Sequence, residues 1–173
     1  VIRLNLDSLT KNTFIEIVNV DRKGLCIRVN VDEVTKEDFS ISLKNMVRNF
    51  SLANDQCDLI IDLQSPNFKP LNGFANLLSK IITKIPNLDE WRTFGIIGTS
   101  FPSTMGGLSI GISTIPREEW CLYKLLFTNL RKNAVRIPSF GDYTINRPEI
   151  LSLDMRLVKP SASVRYSIDD KWL

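Results

Sequence analysis

An alternation of apolar and polar residues recurs three times along this chain, each time with nearly the same polar members. Ile2-Arg3-Leu4-Asn5-Leu6-Asp7 and Ile27-Arg28-Val29-Asn30-Val31-Asp32 share the order apolar, Arg, apolar, Asn, apolar, Asp. Val164-Arg165-Tyr166-Ser167-Ile168-Asp169 repeats that order with Tyr at one apolar position and Ser for Asn. Successive side chains of a strand point to opposite faces. Each stretch therefore reads as a strand with one apolar face and one face carrying Arg, Asn or Ser, and Asp. Such a polar face is either solvated or lines a polar interior, and that choice decides where a site lies.

Helical patterns separate the strand patterns. The first strand is expected over 1–7, followed by a short, weakly periodic helix over 10–21 that contains Phe14, Ile15 and Val18 and breaks at Gly24. A second strand follows over 25–31. Thr35-Lys36-Glu37-Asp38 has the spacing of a capping box, and Phe39, Leu43, Met46, Val47 and Phe50 follow at helical spacing, predicting a helix over 36–52. In the third strand, 57–63, Asp58, Ile60 and Asp62 share one face and Leu59, Ile61 and Leu63 the other. Leu71, Phe74, Leu78, Ile81, Ile82 and Ile85 mark an amphipathic helix that Pro86 ends. A mostly apolar strand over 93–99 precedes a loop of small residues over 100–114. Ser113 or Thr114 is expected to cap a helix with Pro116 in its first turn and Trp120, Tyr123, Leu126, Phe127 and Leu130 on its apolar side. A fifth strand over 139–145, an unpatterned stretch over 146–160 and a last strand over 162–169 complete the chain.

Strands alternating with helices imply parallel pairing through right-handed crossovers. An open doubly wound sheet covers both strand faces with helices and wants apolar strands throughout. Here one face of several strands is charged, which a barrel interior accommodates better. The strands are too few to close an eight-stranded barrel. The expected fold is therefore α/β: an incomplete or truncated TIM-like (β/α) barrel with mainly parallel strands. Residues 1–173 read as a single α/β domain, and both ends look cut, as in a fragment of a longer barrel-like protein.

Several chemistries are excluded at once. The chain has no histidine, so Ser-His-Asp hydrolysis, Cys-His catalysis and His-based metal sites cannot be built from it. Cys26, Cys57 and Cys121 are odd in number and lack a C-x-x-C pair, which reads as buried free thiols in a reducing cytoplasm rather than zinc ligands. No cofactor or metal is expected, although a carboxylate site for magnesium stays compatible with the composition. The net charge of +3 is too small and too dispersed for a nucleic-acid signature, so nucleic acid is only weakly supported as a partner. No apolar run approaches the ~20 residues of a membrane helix. Gly95, Gly98 and Gly106-Gly107 fit neither phosphate-loop pattern.

In a barrel, Asn5, Asp7, Asn30, Asp32, Asp62, Ser100, Asp142 and Asp169 fall at strand C-terminal ends, where active sites collect. The candidate ligand-binding set is Arg3, Asn5, Arg28, Asn30, Asp62, Ser100, Asp142 and Arg165. Arg and Asn aimed at one cavity suit phosphate or carboxylate recognition. The competing reading is structural. Asp at a strand end commonly caps the next helix, and Arg28 paired with Asp58 or Asp62 would be a buried network.

Gly24-Leu25-Cys26-Ile27-Arg28, Asp58-Leu59-Ile60-Ile61-Asp62, Ile97-Gly98-Thr99-Ser100-Phe101-Pro102, Pro116-Arg117-Glu118-Glu119-Trp120, Phe140-Gly141-Asp142-Tyr143 and Val164-Arg165-Tyr166 together span most of the chain. In order and spacing these phrases resemble the phage "beta protein" family, found in phage and prophage genomes and near bacterial defence genes. The resemblance implies a phage- or defence-associated cytoplasmic protein with a barrel-like fold, and brings no catalytic residue with it. Two functions are expected to compete. One is an interaction module that recognises a phage or host protein or an anionic ligand through a polar Arg/Asp-lined mouth. The other is an enzyme or ligand sensor acting on a phosphate-bearing or nucleotide-type ligand at the strand ends.

Overall fold

The computed structural model describes residues 1–102, 111–143 and 164–173. Along the chain run α1 (Ser8–Asp21), β1 (Leu25–Asn30), α2 (Val31–Val34), α3 (Phe39–Asn49), β2 (Cys57–Asp62) and α4 (Leu71–Ile82). There follow β3 (Thr93–Gly98), β4 (Ile115–Pro116), α5 (Glu118–Lys132), β5 (Ser139–Asp142), β6 (Ser167–Ile168) and β7 (Lys171–Trp172). Strands β1, β2, β3 and β5 form a four-stranded parallel sheet in that spatial order. A single parallel bridge from Ile2 to Ile27 lays the N-terminal segment along the free edge of β1.

Strand parity builds the core. Ile27, Leu59 and Phe94 pair across one row, and Val29, Ile61 and Ile96 across the next. All six are at most 3% exposed and join one cluster with Leu43 of α3, Leu78 and Ile82 of α4, and Leu122, Leu126 and Leu130 of α5. Fully burying one such side chain is worth about 1.5–3 kcal/mol, so this face is what fixes the helices on the sheet. Polar Arg28, Asn30 and Asp58 share the opposite face with Ile60, and all four are half-buried. Gly24 makes the turn into β1: its φ is +81°, and a Cβ there would lie 1.9 Å from the Gln56 carbonyl oxygen.

Several expectations are corrected. Residues 1–7 do not form a full strand, because Asp7 is spent as the N-cap of α1: Thr10 N–H donates to its Oδ1 at 2.9 Å and the Thr10 hydroxyl to its Oδ2 at 2.6 Å. The cap matters for a helix that buries only Val18. The capping box forms earlier than Thr35, between Asn30 and Glu33, and α3 starts at Phe39 with no side-chain cap from Asp38. Pro116 lies in β4, and Arg117 stands at the N-cap position of α5 in place of Ser113 or Thr114. The third repeat of the opening pattern is no core strand. Ser167–Ile168 pairs antiparallel with Lys171–Trp172 in a small sheet with β4, which meets α5 through the Lys124–Asp170 ion pair and Arg117 over Trp172, while Val164 and Tyr166 are exposed. Among the described strands no barrel closes; the sheet is open, with β1 and β5 at its sides. Residues 103–110 of the small-residue loop, the end of the fifth strand beyond 143 and the unpatterned stretch lie outside the described residues.

The cysteines divide by strand face. Cys57 is buried, whereas Cys26, on the polar face of β1, and Cys121, on the flank of α5, are only half-buried, which corrects the expectation of three buried thiols. Burial pushes the Cys57 thiol up to about 11 and raises the other two less. Native protein treated with a thiol reagent is expected to modify Cys26 and Cys121 slowly and Cys57 only on unfolding. Mass-spectrometric mapping that finds Cys57 labelled first would overturn this assignment of faces. Among the described residues no helix is long and apolar enough to cross a membrane.

Candidate functional site

The polar face of the sheet converges on Asp62. It ends β2 beside Asn30 of β1, and its side chain is 3% exposed. Arg28 reaches it from two residues deeper in β1, donating from Nε at 2.8 Å and from Nη2 at 2.5 Å to Oδ2. Oδ1 accepts from the Tyr143 hydroxyl at 2.8 Å and from the Gln64 backbone N–H at 2.9 Å. Arg28 Nη2 also donates to the Tyr143 hydroxyl, and its guanidinium lies 5.5 Å from the tyrosine ring centroid. Three strands are thus tied through one carboxylate. Burial, then the bond to Asp62 and its charge, push the Tyr143 phenol up. Partial burial opposes the Arg28 charge, but Asp62 and Tyr143 outweigh it and hold the guanidinium protonated.

Arg3 joins this face from the edge. The bridge holds Ile2 beside Ile27 through two 2.8 Å backbone bonds, so Arg3 falls in register with Arg28. It is exposed and makes no ion pair among the described residues. A small gap of about 10 Å³ lies among Arg3, Arg28, Asn30, Glu33, Asp62 and Gln64. Asn30 does not extend the charge network. Its Oδ1 accepts the Glu33 N–H at 2.8 Å, and Glu33 Oε2 accepts the Asn30 N–H at 2.9 Å. Asn5 is exposed, Asp32 sits in the exposed first turn of α2, and Asp58 pairs with Arg92 at 2.8 Å. Asp169 lies in the turn of the C-terminal hairpin at φ 50°.

A second polar cluster forms where β3 and β5 end, and it claims the remaining candidates. Asp142 pairs with Gly98, the parity of Phe140 and Ile96, so it shares the helix side of the sheet and not the face of Asp62. Its neighbour there is Glu119, 2% exposed in the first turn of α5. Glu119 Oε2 accepts the Ser100 N–H at 3.1 Å and the Ser100 hydroxyl, and Oε1 accepts Arg117 Nε at 3.4 Å. Ser100 therefore serves the start of α5. Burial first, and then the Glu119 charge, push the Asp142 carboxyl up to about 6 against the pull of the Tyr143 N–H, Arg117 and Thr99. Its Oδ1 is buried without a hydrogen-bond partner among the described residues. Arg117 stacks 4.5 Å from the Trp172 ring and 5.6 Å from Trp120, and Arg165 stacks 3.7 Å from Phe101, so Arg165 belongs to this pole and not to the Arg28 network.

Sequence reasoning missed Tyr143, Gln64 and Glu119. Tyr143 was findable: Gly141 pairs beside Ile97 in the row of Asp62, and Tyr143 follows two residues on at the same parity. Glu119 carried no signal of its own beside the half-buried first-turn Glu118.

The raised Asp142 value fixes the sign of a pH effect. A carboxyl whose folded value lies above its ordinary 3.8 stabilises the fold while protonated and loses that contribution as pH rises through about 6. Asp142→Asn is expected to match wild type in urea unfolding near the lower value and to become more stable than wild type as pH rises through about 6. An unchanged difference across that window would mean Asp142 is not desolvated beside Glu119.

Among the described residues no cluster of three or more Cys, Asp or Glu is placed to hold a metal ion. A family model described as Beta protein matches residues 1–173. No curated protein and no solved structure gave a match.

Proposed function

This chain belongs to the Beta protein family, and on that premise we propose that it is a phage- or defence-associated recognition module. It binds an anionic group of a protein partner or small ligand at the Arg3 and Arg28 face. The observation that carries this reading is the accounting of hydrogen bonds there. Among the described residues the buried carboxylate of this face, Asp62, is fully engaged by donors, and Glu33 is held by its capping bond through Oε2. The face does retain guanidinium N–H groups, on exposed Arg3 and on an Arg28 already locked in place by Asp62 and Tyr143. A preorganised guanidinium beside a second one suits a carboxylate or phosphate.

The same reading takes the sheet as an arc of a (β/α) barrel within one domain. Support comes from the strand order, which equals the chain order, and from a core that runs without a break from Ile2 to Leu130 on one face of the sheet. Free cysteines suit a reducing cytoplasm. The second reading, an enzyme or sensor for a phosphate-bearing ligand, is favoured by the Asp142 and Glu119 pair, whose unpartnered oxygen and raised carboxyl could handle a proton.

Titration by NMR with inorganic phosphate, nucleoside mono- and triphosphates and a dicarboxylate tests both. Saturable shifts are expected at Arg3 and Arg28, weakened about tenfold or more in Arg3→Ala and unaltered in Asp142→Asn. Arg3 is exposed, so its removal leaves the fold intact. Failure of every anion to saturate, or full binding by Arg3→Ala, would reject recognition at this face. Turnover of a phosphate ester that Asp142→Asn abolishes while binding persists would favour the second reading.

A further inference from the structure

A groove of about 360 Å³ opens between the turn leading into α3 and the second half of α4, away from both polar clusters. Its floor is apolar. Val34, Phe39 and Ile81 are buried there by their own packing, and Leu77 stands 46% exposed at the rim. Leu77, Lys80 and Ile81 line the groove at helical spacing on α4, and Lys84 continues the stripe from the turn that follows the helix. Lys36 contributes a third cation from the opposite wall, and only one carboxylate, Glu37, lines the groove. None of the three lysines holds an ion pair among the described residues.

We propose that this groove docks an acidic segment of a partner protein, with an apolar side chain seated on Leu77 and Ile81 and carboxylates facing Lys36, Lys80 and Lys84. Charge complementarity chooses this occupant. Cations on both walls disfavour a purely apolar or a basic segment, and the apolar floor gives a plain anion nothing to bury. The size of the cavity accepts one or two side chains, and a helix laid along the α4 stripe would present them at matching spacing. The three lysines steer the encounter, so association is salt-dependent.

The probe is a fluorescein-labelled peptide with Leu at every third or fourth position and Glu between. Anisotropy titration of the wild-type chain is expected to saturate and to weaken with added salt. Lys80→Glu combined with Lys84→Glu, and separately Leu77→Ser, are expected to weaken binding about tenfold or more. These positions are exposed, and circular dichroism of each variant confirms that the fold persists. Arg3→Ala must leave this binding unchanged, which separates the groove from the anion face. A matched peptide with Ser for Leu should bind weakly. Equal binding by that peptide or by the charge-reversed variant overturns the proposal. So does sedimentation showing a dimer that charge reversal dissolves, which assigns the groove to a second copy. Binding to phosphatidylserine vesicles with no binding of the peptide assigns it to a membrane surface and overturns it too.

Discussion

Replacing Ile61 by Ala is expected to lower the free energy of unfolding by about 2–5 kcal/mol. Ile61 is 0% exposed in the second strand of the sheet, paired between Val29 on one side and Ile96 on the other. Hydrogen-bonded neighbours on both sides hold the backbone, and helices close the face above, so the site cannot collapse into the space left behind. The cost then contains the lost transfer free energy and a cavity term together. Domains of this size are stable by about 5–15 kcal/mol, so one truncation would remove a large share. Ile60 is the internal control. It sits one residue away on the polar face and is only half-buried. Ile60→Ala is expected to cost clearly less, measured by urea unfolding at equal m-value. Equal costs for the two variants, or a near-neutral Ile61→Ala, would mean that the parity assigned to β2 is wrong.

That parity was legible from the chain alone because a strand has a period of two and β2 obeys it, with Asp62 buried on the polar face by its own bonds. Asp58, Ile60 and Asp62 separate from Leu59 and Ile61 in the structure as the alternation requires. The pairing of Arg28 with Asp62 follows from the same count once the strands are parallel and adjacent. Asp142 ends β5 as expected of a strand-end residue, but parity sends it to the Glu119 side of the sheet and away from Asp62. Helix α5 slips for a related reason. Its buried set is Glu119, Leu122, Leu126 and Leu130, while Trp120 and Tyr123 stack on each other and on Phe140 at the flank. Large aromatics outweigh a buried glutamate in any hydropathy pattern, and the bonds from Ser100 and Arg117 explain why a carboxylate sits there. The repeated Arg-Asn-Asp pattern misled most. Identical local alternation gives an edge segment at Ile2, a core strand at Ile27 and an exposed hairpin at Ser167, because what covers a strand is decided by segments distant in sequence.

Removing the carboxylate of Asp62 is expected to destabilise the protein by about 3 kcal/mol, the lower end of the range for breaking a buried ion pair. The lower end applies because the Arg28 side chain is 27% exposed and water can reach it, whereas Asp62 is 3% exposed. Asp62→Ala leaves the Tyr143 hydroxyl and the Gln64 N–H without their acceptor, in addition to the guanidinium. Arg28→Met does the reverse, leaving a buried carboxylate with the Tyr143 and Gln64 donors alone. Each single change strands a polar group, so each costs more than the pair itself contributes. Combining Arg28→Met with Asp62→Ala removes both charges and is expected to recover part of the loss, with a coupling of about 0.5–3 kcal/mol in the cycle. Additive losses would show that the two residues act independently and that the contact carries no energy. Anion binding, followed on the same variants, separates the two roles of Arg28. A drop in stability at Arg28→Met with anion binding retained makes the network purely structural. Stability retained with binding lost makes Arg28 a ligand group first. The recognition reading requires both losses together, since the guanidinium that meets the anion is the one Asp62 and Tyr143 hold in place.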